Sequence, residues 1–284
     1  MAMRYYIVDA FTNEPFGGNP AGVVLLDGDF PDEQLMQQVA AELRYSETAF
    51  VRRQGPAEFT VRYFTPCGEV DLCGHATIAT FGLLHREGLV PDGATCLNHT
   101  LAGDLKVRIG DQVMMQMAAA SHVDLPLDVE NLHRIMSASD NNIEWPDLPV
   151  EIISTGLPDI IMPVAGLKAL NALRPDMEAL ANLSQELNVV GVHAFAMADD
   201  GYTAHVRNFA PLYGIPEESA TGTANAALTH YLCRRALIAA GAECRFLQGE
   251  AMHRPSVVAT TLDQEGCIWV GGRCSIVAQG NLLV

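Results

Sequence analysis

The chain has 284 residues, of which 49% are hydrophobic and 18% are charged, so it can bury a core without disulfides or a structural metal. Thirty-four acidic against seventeen basic residues give a net charge of -17, which repels phosphate backbones and anionic membranes, so we expect no nucleic-acid or membrane partner. The odd number of cysteines, seven, disfavours a disulfide framework, and the lack of a signal-peptide pattern at the start predicts a cytoplasmic protein.

Short apolar runs rich in β-branched and aromatic residues predict strands along the whole chain. They lie at 5–8, 23–26, 48–51, 59–64, 105–109, 113–117, 152–155, 159–163, 194–197, 203–209, 245–247, 257–261, 267–270 and 276–278. Between them, residues 32–43 space their apolar side chains as one face of a helix, and residues 131–137 and 177–187 do so less cleanly.

Two further predicted helices, over 76–84 and 223–237, show no broad polar face in their first turns. A helix that is apolar all round is normally surrounded by protein. We therefore expect one buried central helix in each half of the chain.

An internal repeat supports a two-domain organisation. Residues 61–66 (VRYFTP) match residues 206–211 (VRNFAP), and Cys73–Gly74 matches Thr221–Gly222. Repetition of this kind indicates that one structural unit occurs twice. The sequence therefore predicts an α+β fold of two pseudo-symmetric domains, each a curved mixed sheet around a central helix, with a boundary near residues 118–126.

Gly74 and Gly222 precede the two buried helices. A helix N-terminus carries unpaired N–H groups and a partial positive charge, and glycine lets an anion approach the backbone closely. The pair predicts a site for a small anionic substrate, although each glycine alone is also typical of a plain helix cap.

Titratable side chains surround the first of these glycines: Cys73, His75, Glu69 and Asp71. His75 can act as an acid or a base near neutral pH, or serve as a structural histidine. Cys67, Cys73 and His75 are plausible zinc ligands, but no C-x-x-C or second pair accompanies them, so we expect no metal. Cys73 could be a thiolate base, yet its counterpart Thr221 cannot, which argues against a two-thiol racemase.

Four segments together carry a family resemblance: DAFTNEPFGGNPAGVV, LRYSETAFV, FTPCGEVDLCGHAT and FAPLYGIPEESATGTANAAL. In this order and spacing the chain resembles, over essentially its full length, the PhzF-like proteins of phenazine biosynthesis, within the diaminopimelate epimerase-like superfamily. The resemblance implies an isomerase that needs no cofactor, with a site in the cleft between its two domains, and a homodimer. It also implies a first domain of residues 1–118 joined by the strand after about residue 265, and a second domain of residues 119–265.

The resemblance also implies roles for particular residues. Glu47, in the S-E-T motif, would be the general acid/base, assisted by His75 and Glu218. Residues of the same motifs would contact the substrate: Asn19, Ser46, Cys73, Gly74, Ala76, Thr221, Gly222 and Thr223. Taken without the resemblance, Glu47 reads as a loop carboxylate, whose pKa burial would raise toward neutrality.

Two departures from the family pattern leave the chemistry open. The second acidic position is commonly Asp followed by Pro, whereas this chain has Glu217, Glu218 and Ser219, and the longer side chain displaces the carboxylate in a site sensitive to such shifts. Cys73 matches an epimerase thiol without its partner. The alternatives to the isomerase are an amino-acid epimerase or racemase that uses Cys73, and a non-catalytic metabolite-binding protein.

Overall fold

The computed structural model describes residues 2–137 and 146–284. In chain order the strands are β1 Ala2–Ala10, β2 Asn19–Leu26, β3 Thr48–Gly55, β4 Glu58–Phe64, β5 Glu69–Val70, β6 Thr95–Thr100, β7 Gly103–Ile109, β8 Val113–Gln116, β9 Ser121–Val123, β10 Glu151–Ser154, β11 Pro158–Pro163, β12 Val192–Met197, β13 Ala204–Ala210, β14 Ile215–Glu218, β15 Glu243–Gln248, β16 Ser256–Leu262, β17 Ile268–Gly272 and β18 Cys274–Leu283. The α-helices are α1 Glu33–Leu43, α2 Gly74–Arg86, α3 Val129–Met136, α4 Leu167–Ala172, α5 Met177–Leu187 and α6 Gly222–Arg234, and short 3-10 helices lie at Pro211–Tyr213 and Glu250–Met252.

The chain divides into two compact units. The first contains the described residues up to Gln116 together with Gly271–Val284, and the second contains the described residues of Met117–Val270. The chain therefore leaves the first unit once and returns to it with its last strand, β18, which pairs with β1.

The sheet of the first unit runs in the order β18, β1, β2, β3, β4, β6, β7, β8, and β5 also pairs with β4. Neighbours are antiparallel except β2 with β3 and β4 with β6, which are parallel. Parallel neighbours need a crossover connection. Here α1 connects β2 to β3, and the connection from β4 to β6 contains α2.

Helix α2 is the central helix of the first unit. Every residue from His75 to Leu84 is buried, and the helix contacts β1, β2, β3, β7, β8 and β18. Gly82 lies where α2 meets β18, and a Cβ at this position would collide with the side chain of Cys274. The lack of a polar face in the sequence thus reflects a helix covered by its own sheet.

The second unit repeats this plan. Its strands run in the order β9, β10, β11, β12, β13, β15, β16, with β14 also paired to β13, and the parallel neighbours are β11 with β12 and β13 with β15. Helices α4 and α5 connect the first parallel pair, and α6 lies in the connection of the second. α6 contacts β10, β11, β12 and β16, so it is the counterpart of α2.

A second layer of helices packs on the second unit's sheet. α3, α4 and α5 contribute Leu132, Leu170 and Leu180 to a hydrophobic core with residues of β10 to β13. The side chains of Asp128 and Asp176 cap α3 and α5 by accepting hydrogen bonds from first-turn N–H groups, which stabilises a helix start.

The predicted α+β class is confirmed, and every predicted strand and helix is present. Most ends agree within three residues, but β2 begins four residues earlier than predicted, β3 ends four residues later and β18 ends five residues later. The helix at 177–187 has the predicted bounds. Strands β5, β6, β9 and β14 and the short helix α4 were not predicted. Within residues 2–137 and 146–284, no helix has the length and apolar character needed to cross a membrane.

Candidate active site

Glu47 lies in the short connection between α1 and β3. Arg44 ends α1 in the left-handed conformation, with φ of 59°, which turns the chain. The backbone carbonyl of Glu47 accepts a hydrogen bond of 3.1 Å from Gly22 N on the neighbouring strand β2, and the next residue, Thr48, is fully buried. The backbone that carries the Glu47 carboxylate is therefore held on both sides.

Helix α2 begins next to this carboxylate without the side-chain cap that α1, α3 and α5 have. Its N-cap residue, Cys73, is extended and its side chain makes no capping hydrogen bond. In α1, α3 and α5, by contrast, an aspartate side chain caps the first turn. The first-turn N–H groups of α2 therefore receive no acceptor from the N-cap side chain, which suits them to bind an external anion.

Four predicted residues come together at this helix start. His75 Nε2 lies 3.2 Å from Glu47 Oε2 and 3.3 Å from Ser46 Oγ. Cys73 Sγ lies 3.4 Å from Nδ1 of the same ring and 3.9 Å from Nε2. The thiol, the imidazole and the carboxylate thus form a continuous chain of groups that can carry a proton.

The surroundings of Glu47 shield much of its side chain from bulk water. The side chain is 20% exposed and that of His75 is 7% exposed. Glu47 Oε2 is buried, and no described residue forms a hydrogen bond of good geometry with it, because the contact with His75 is short but poorly directed. A carboxylate oxygen with unused acceptor capacity is available to take a proton from a bound molecule.

The remaining predicted residues of the first unit are placed as follows. Asn19 opens β2 and is buried, Ala76 is fully buried in α2, and Gly74 is partly exposed at the helix start. Glu69 is bound by Arg62 through two hydrogen bonds, from Nε at 2.6 Å and Nη2 at 2.5 Å. Asp71 and Cys67 are exposed. Of the acidic and thiol groups near α2, Glu47 and Cys73 are therefore the ones in contact with His75.

In the second unit, two adjacent glutamates, Glu217 and Glu218, have different partners. Arg207 binds both oxygens of Glu217, with Nε and Nη2 each at 2.8 Å, as Arg62 binds Glu69 in the first unit. Arg207 also donates to the carbonyls of Leu170 and Leu173. Glu217 is thus occupied by a structural ion pair, and the carboxylate next to the start of α6 belongs to Glu218.

Glu218 is oriented by a chain of hydrogen bonds at the start of α6. Gln248 Nε2 donates to Thr221 Oγ1 at 3.0 Å, and that hydroxyl donates to Glu218 Oε2 at 2.8 Å. Gln248 also accepts from Thr221 N and from Asn225. The N-cap Thr221 makes no capping bond with its side chain. Gln248 is fully buried, and no motif in the sequence pointed to it.

The other predicted residues of the second unit lie in the first turn of α6. Gly222 is buried and opens the helix. Thr223 follows it, and its carbonyl accepts a hydrogen bond from Thr155 Oγ1. The structure therefore groups Glu218, Thr221, Gly222 and Thr223 in the second unit, and Ser46, Glu47, Cys73 and His75 in the first.

Asp159 is a buried carboxyl group that sequence reasoning missed. It is 1% exposed, and neither carboxyl oxygen has a hydrogen bond of good geometry within the part of the chain that the structure describes. Burial, and next the negative charge of Glu218, raise the pKa of Asp159 to about 8, and the nearby amide of Asn208 opposes the shift. The sequence did offer one signal for this residue, because Asp159 is a charged residue directly before the apolar residues of β11.

A neutral histidine lies behind this carboxyl. Asn208 on β13 donates to His193 Nδ1, and His193 Nε2 contacts Asn225 Oδ1, both at 3.3 Å. Complete burial lowers the pKa of His193 to about 4 although the bond to Asn225 favours the charged form. The imidazole is therefore neutral at physiological pH, and Asp159 has no histidine cation to neutralise it.

Comparison with known proteins shows similarity along almost the whole chain. A family model described as "Phenazine biosynthesis-like protein" (PhzC-PhzF) matches residues 8–280. An isomerase of Deinococcus radiodurans is 36% identical over 98% of this chain and 94% of its own length. The trans-2,3-dihydro-3-hydroxyanthranilate isomerase of Pseudomonas chlororaphis is 31% identical over 90% of this chain and 88% of its own length.

A solved structure agrees with these relatives. The crystal structure of a Bacillus anthracis phenazine biosynthesis protein of the PhzF family superposes with a TM-score of 0.88 at 30% identity, covering 100% of both chains. Sequence and backbone similarity therefore both extend over the full length. The chain belongs to the PhzC-PhzF family of phenazine biosynthesis-like proteins and is an enzyme of the isomerase class.

Proposed function

We propose that this protein isomerises a small metabolite that carries a carboxylate, without a cofactor, and that Glu47 is the acid/base which moves the proton. The observation that carries the proposal is the position of Glu47 Oε2: buried, without a well-directed hydrogen bond from the described residues, and 3.2 Å from the imidazole of His75.

The reaction is balanced without any other reactant. The Glu47 carboxylate takes a proton from a carbon of the substrate, and the electron pair of the broken C–H bond moves into the adjacent π-system. The protonated Glu47 then returns the proton to a different carbon on the same face. His75, at 3.2 Å from Oε2, stabilises the charge that forms, because both groups lie in a largely desolvated cluster.

The start of α2 is proposed to hold the substrate's carboxylate. The N-cap side chain does not occupy the first-turn N–H groups. A Cβ added at Gly74 would lie 3.7 Å from its nearest neighbour, the methyl group of Met115, so packing of the chain itself does not demand glycine here. A close approach by a ligand does explain it, because an anion reaches the backbone N–H groups best where no side chain intervenes.

Glu218 is proposed to assist as a second carboxylate, held by Thr221 and Gln248 in one orientation. Asp159, behind Glu218, stays protonated up to about pH 8 and so adds no second negative charge there at neutral pH.

The substrate class follows from the relatives and from the chemistry. Trans-2,3-dihydro-3-hydroxyanthranilate, named for the Pseudomonas chlororaphis relative, is the first compound to test. A panel of small unsaturated and α-amino carboxylates should accompany it. Turnover of no compound, combined with tight binding of one, would favour the non-catalytic alternative.

The test of the proposal is Glu47→Gln, which keeps the size of the side chain and removes the base. We expect turnover of the panel to fall by at least the roughly 10²–10⁴-fold that a general acid/base contributes, with thermal stability and ligand affinity unchanged. Glu42→Gln, an exposed residue of α1, is the matched control and should keep full activity. Turnover by Glu47→Gln at the rate of the control would remove Glu47 from the mechanism.

One contact favours a second candidate function, an amino-acid epimerase. Cys73 Sγ lies 3.4 Å from His75 Nδ1, a distance at which an imidazole can activate a thiol. Cys73→Ser separates the two functions, since it should leave the Glu47-dependent isomerisation nearly intact and should abolish an epimerisation by the thiol. Inversion at one carbon with uptake of solvent deuterium would identify the epimerase.

A further inference from the structure

The side chains of Glu47, Cys73 and His75 have the composition and spacing of a metal-binding site. Each offers one ligand atom, and the three atoms lie within 4.8 Å of one another. Nε2 is the ring nitrogen that faces Glu47, at 3.2 Å from Oε2 and 3.9 Å from Cys73 Sγ. Carboxylate, thiolate and imidazole are the three ligand types that zinc uses in proteins.

The two distances from Nε2 are close to the edges of a tetrahedral zinc site. With Zn–N of about 2.0–2.1 Å, Zn–O of about 2.0–2.2 Å and Zn–S of about 2.3 Å, tetrahedral angles place N and O roughly 3.3 Å apart and S and N roughly 3.6 Å apart. The observed separations of 3.2 and 3.9 Å differ from these values by about 0.1 and 0.3 Å. Cys73 Sγ lies nearer to Nδ1, at 3.4 Å, so binding of a metal through Nε2 requires rotation of the imidazole and of the thiol.

The local electrostatics also favour a divalent cation. A bound metal would convert Cys73 to a thiolate, so that the ligands carry two negative charges, which exceeds the roughly half positive charge of the α2 N-terminus. Glu47 Oε2 is buried and has unused acceptor capacity toward the described residues. Cys73 and His75 are 8% and 6% exposed, so solvent competes weakly for the ligand atoms.

The backbone that carries the ligands is also held in place before any metal arrives, so that only side chains must rotate. Cys73 and His75 lie on either side of the first residue of α2, and the backbone of Glu47 is tied to Gly22 on β2. A site that is already assembled loses little conformational entropy on binding. Ser46 Oγ, at 3.3 Å from His75 Nε2, or a water molecule can complete the coordination.

We propose that Glu47, Cys73 and His75 bind a thiophilic divalent cation of the Zn²⁺ class, with one coordination position left for water or Ser46. The metal binding stands on the geometry of the three side chains alone. Its consequence for activity rests on the proposed function: a cation bound to Oε2 uses the lone pair with which Glu47 takes the proton, so occupancy inhibits the isomerase reversibly. This inference departs from the sequence-based expectation of a metal-free protein.

A second group of potential ligands provides an internal control. Asp263, Glu265 and Cys267 also place ligand atoms within 4.8 Å of one another. Asp263 already accepts hydrogen bonds from the backbone N–H groups of Glu265 and Cys267 and from Trp269 Nε1. Its oxygens are thus used to close a turn, and Glu265 is exposed, so we expect no tight site there.

The experiment titrates metal-free, reduced protein with Co²⁺, whose absorption reports coordination, and with Zn²⁺ by calorimetry. We expect one equivalent to bind, with the visible bands of tetrahedral Co²⁺, a thiolate-to-metal charge-transfer band, and proton release from Cys73. Cys73→Ser should remove the charge-transfer band, and Cys73→Ser and His75→Gln should each weaken Zn²⁺ binding by more than the roughly 10–100-fold typical of altered outer-shell partners.

Cys67→Ser and Cys267→Ser are the matched controls, because both residues lie outside the cluster; each should bind Zn²⁺ like the unmodified protein. Binding that is unchanged in Cys73→Ser and His75→Gln, or that depends on Cys267, or that shows only octahedral Co²⁺, would overturn the proposal. Failure is distinguishable from failure of the proposed function, since metal binding requires no turnover and the turnover assay of Glu47→Gln requires no metal.

Discussion

The stability of Asp159→Asn, measured relative to the unmodified protein, should increase as the pH rises. The folded carboxyl stays protonated until its pKa of about 8, whereas the ordinary value is 3.8, so between these limits the folded state binds one proton more than the unfolded state. Stability then falls as the pH increases, by about 1.4 kcal/mol per pH unit for this one group. Asparagine resembles the neutral acid and does not titrate, so the variant is free of this loss.

The expected magnitude between pH 6 and pH 9 follows from the same numbers. The loss accumulates over the roughly two units up to pH 8 and then levels off, which gives about 2.5 kcal/mol. Desolvation is the principal cause, and the group is 1% exposed, so solvent screening does not reduce the figure much. Any penalty from the buried amide of asparagine is independent of pH and cancels in the difference between the two pH values.

Urea unfolding of the unmodified protein and of Asp159→Asn at pH 6 and pH 9 measures the effect. The stability of the variant relative to the unmodified protein should increase by about 2.5 kcal/mol from the lower to the higher pH. Asp124→Asn, an exposed aspartate of the same unit, should show no such change. Parallel pH dependence of Asp159→Asn and the unmodified protein would refute the idea that Asp159 is buried as the neutral acid.

Three further variants test other parts of the account. Gly74→Ala should keep or slightly raise thermal stability, because alanine favours helix, yet raise KM severalfold by blocking the N-terminus of α2; an unchanged KM would contradict anion binding there. Glu217→Ala should lower the free energy of unfolding in urea by about 3–5 kcal/mol, because Arg207 loses its carboxylate partner. Glu69→Ala should lower it less, since Arg62 keeps Glu33 as a partner. Equal losses would contradict this reasoning. The hydrogen bonds that His99 donates to Asp104 and Glu58 raise the pKa of its imidazole. Its contribution to stability is therefore present below pH 6.5 and is lost as the pH passes the raised value, so His99→Gln should lower the melting temperature more at pH 6 than at pH 9.

Much of the fold was readable because its signals are local. The helix at 177–187 has an apolar face, a capping aspartate before it and Asn188 in the left-handed conformation after it. The two central helices stood out because a helix without a polar face is normally enclosed by protein on every side. β6 escaped prediction because TCLNHT mixes polar residues into a strand whose two faces alternate in burial.

Only those site residues that belong to sequence motifs could be predicted. The motifs named Glu47, His75 and Glu218, but the sequence could not tell that Arg62 and Arg207 bind the neighbouring Glu69 and Glu217, because those pairs depend on strand register. Register is a long-range property that a single sequence does not show. Asp159 and Gln248 are single strand residues that belong to no sequence motif, so the motifs did not identify them.

The most direct test of the central claim follows solvent deuterium into the substrate. In D₂O, on a compound of the panel that the unmodified protein converts, the carbon that gains the proton receives deuterium whenever the protonated Glu47 exchanges with solvent before it returns the proton. We therefore expect partial labelling at that carbon, and no label above background with Glu47→Gln under conditions where the variant binds that compound with unchanged affinity. Label appearing with Glu47→Gln at the rate of the unmodified protein would contradict proton transfer by Glu47.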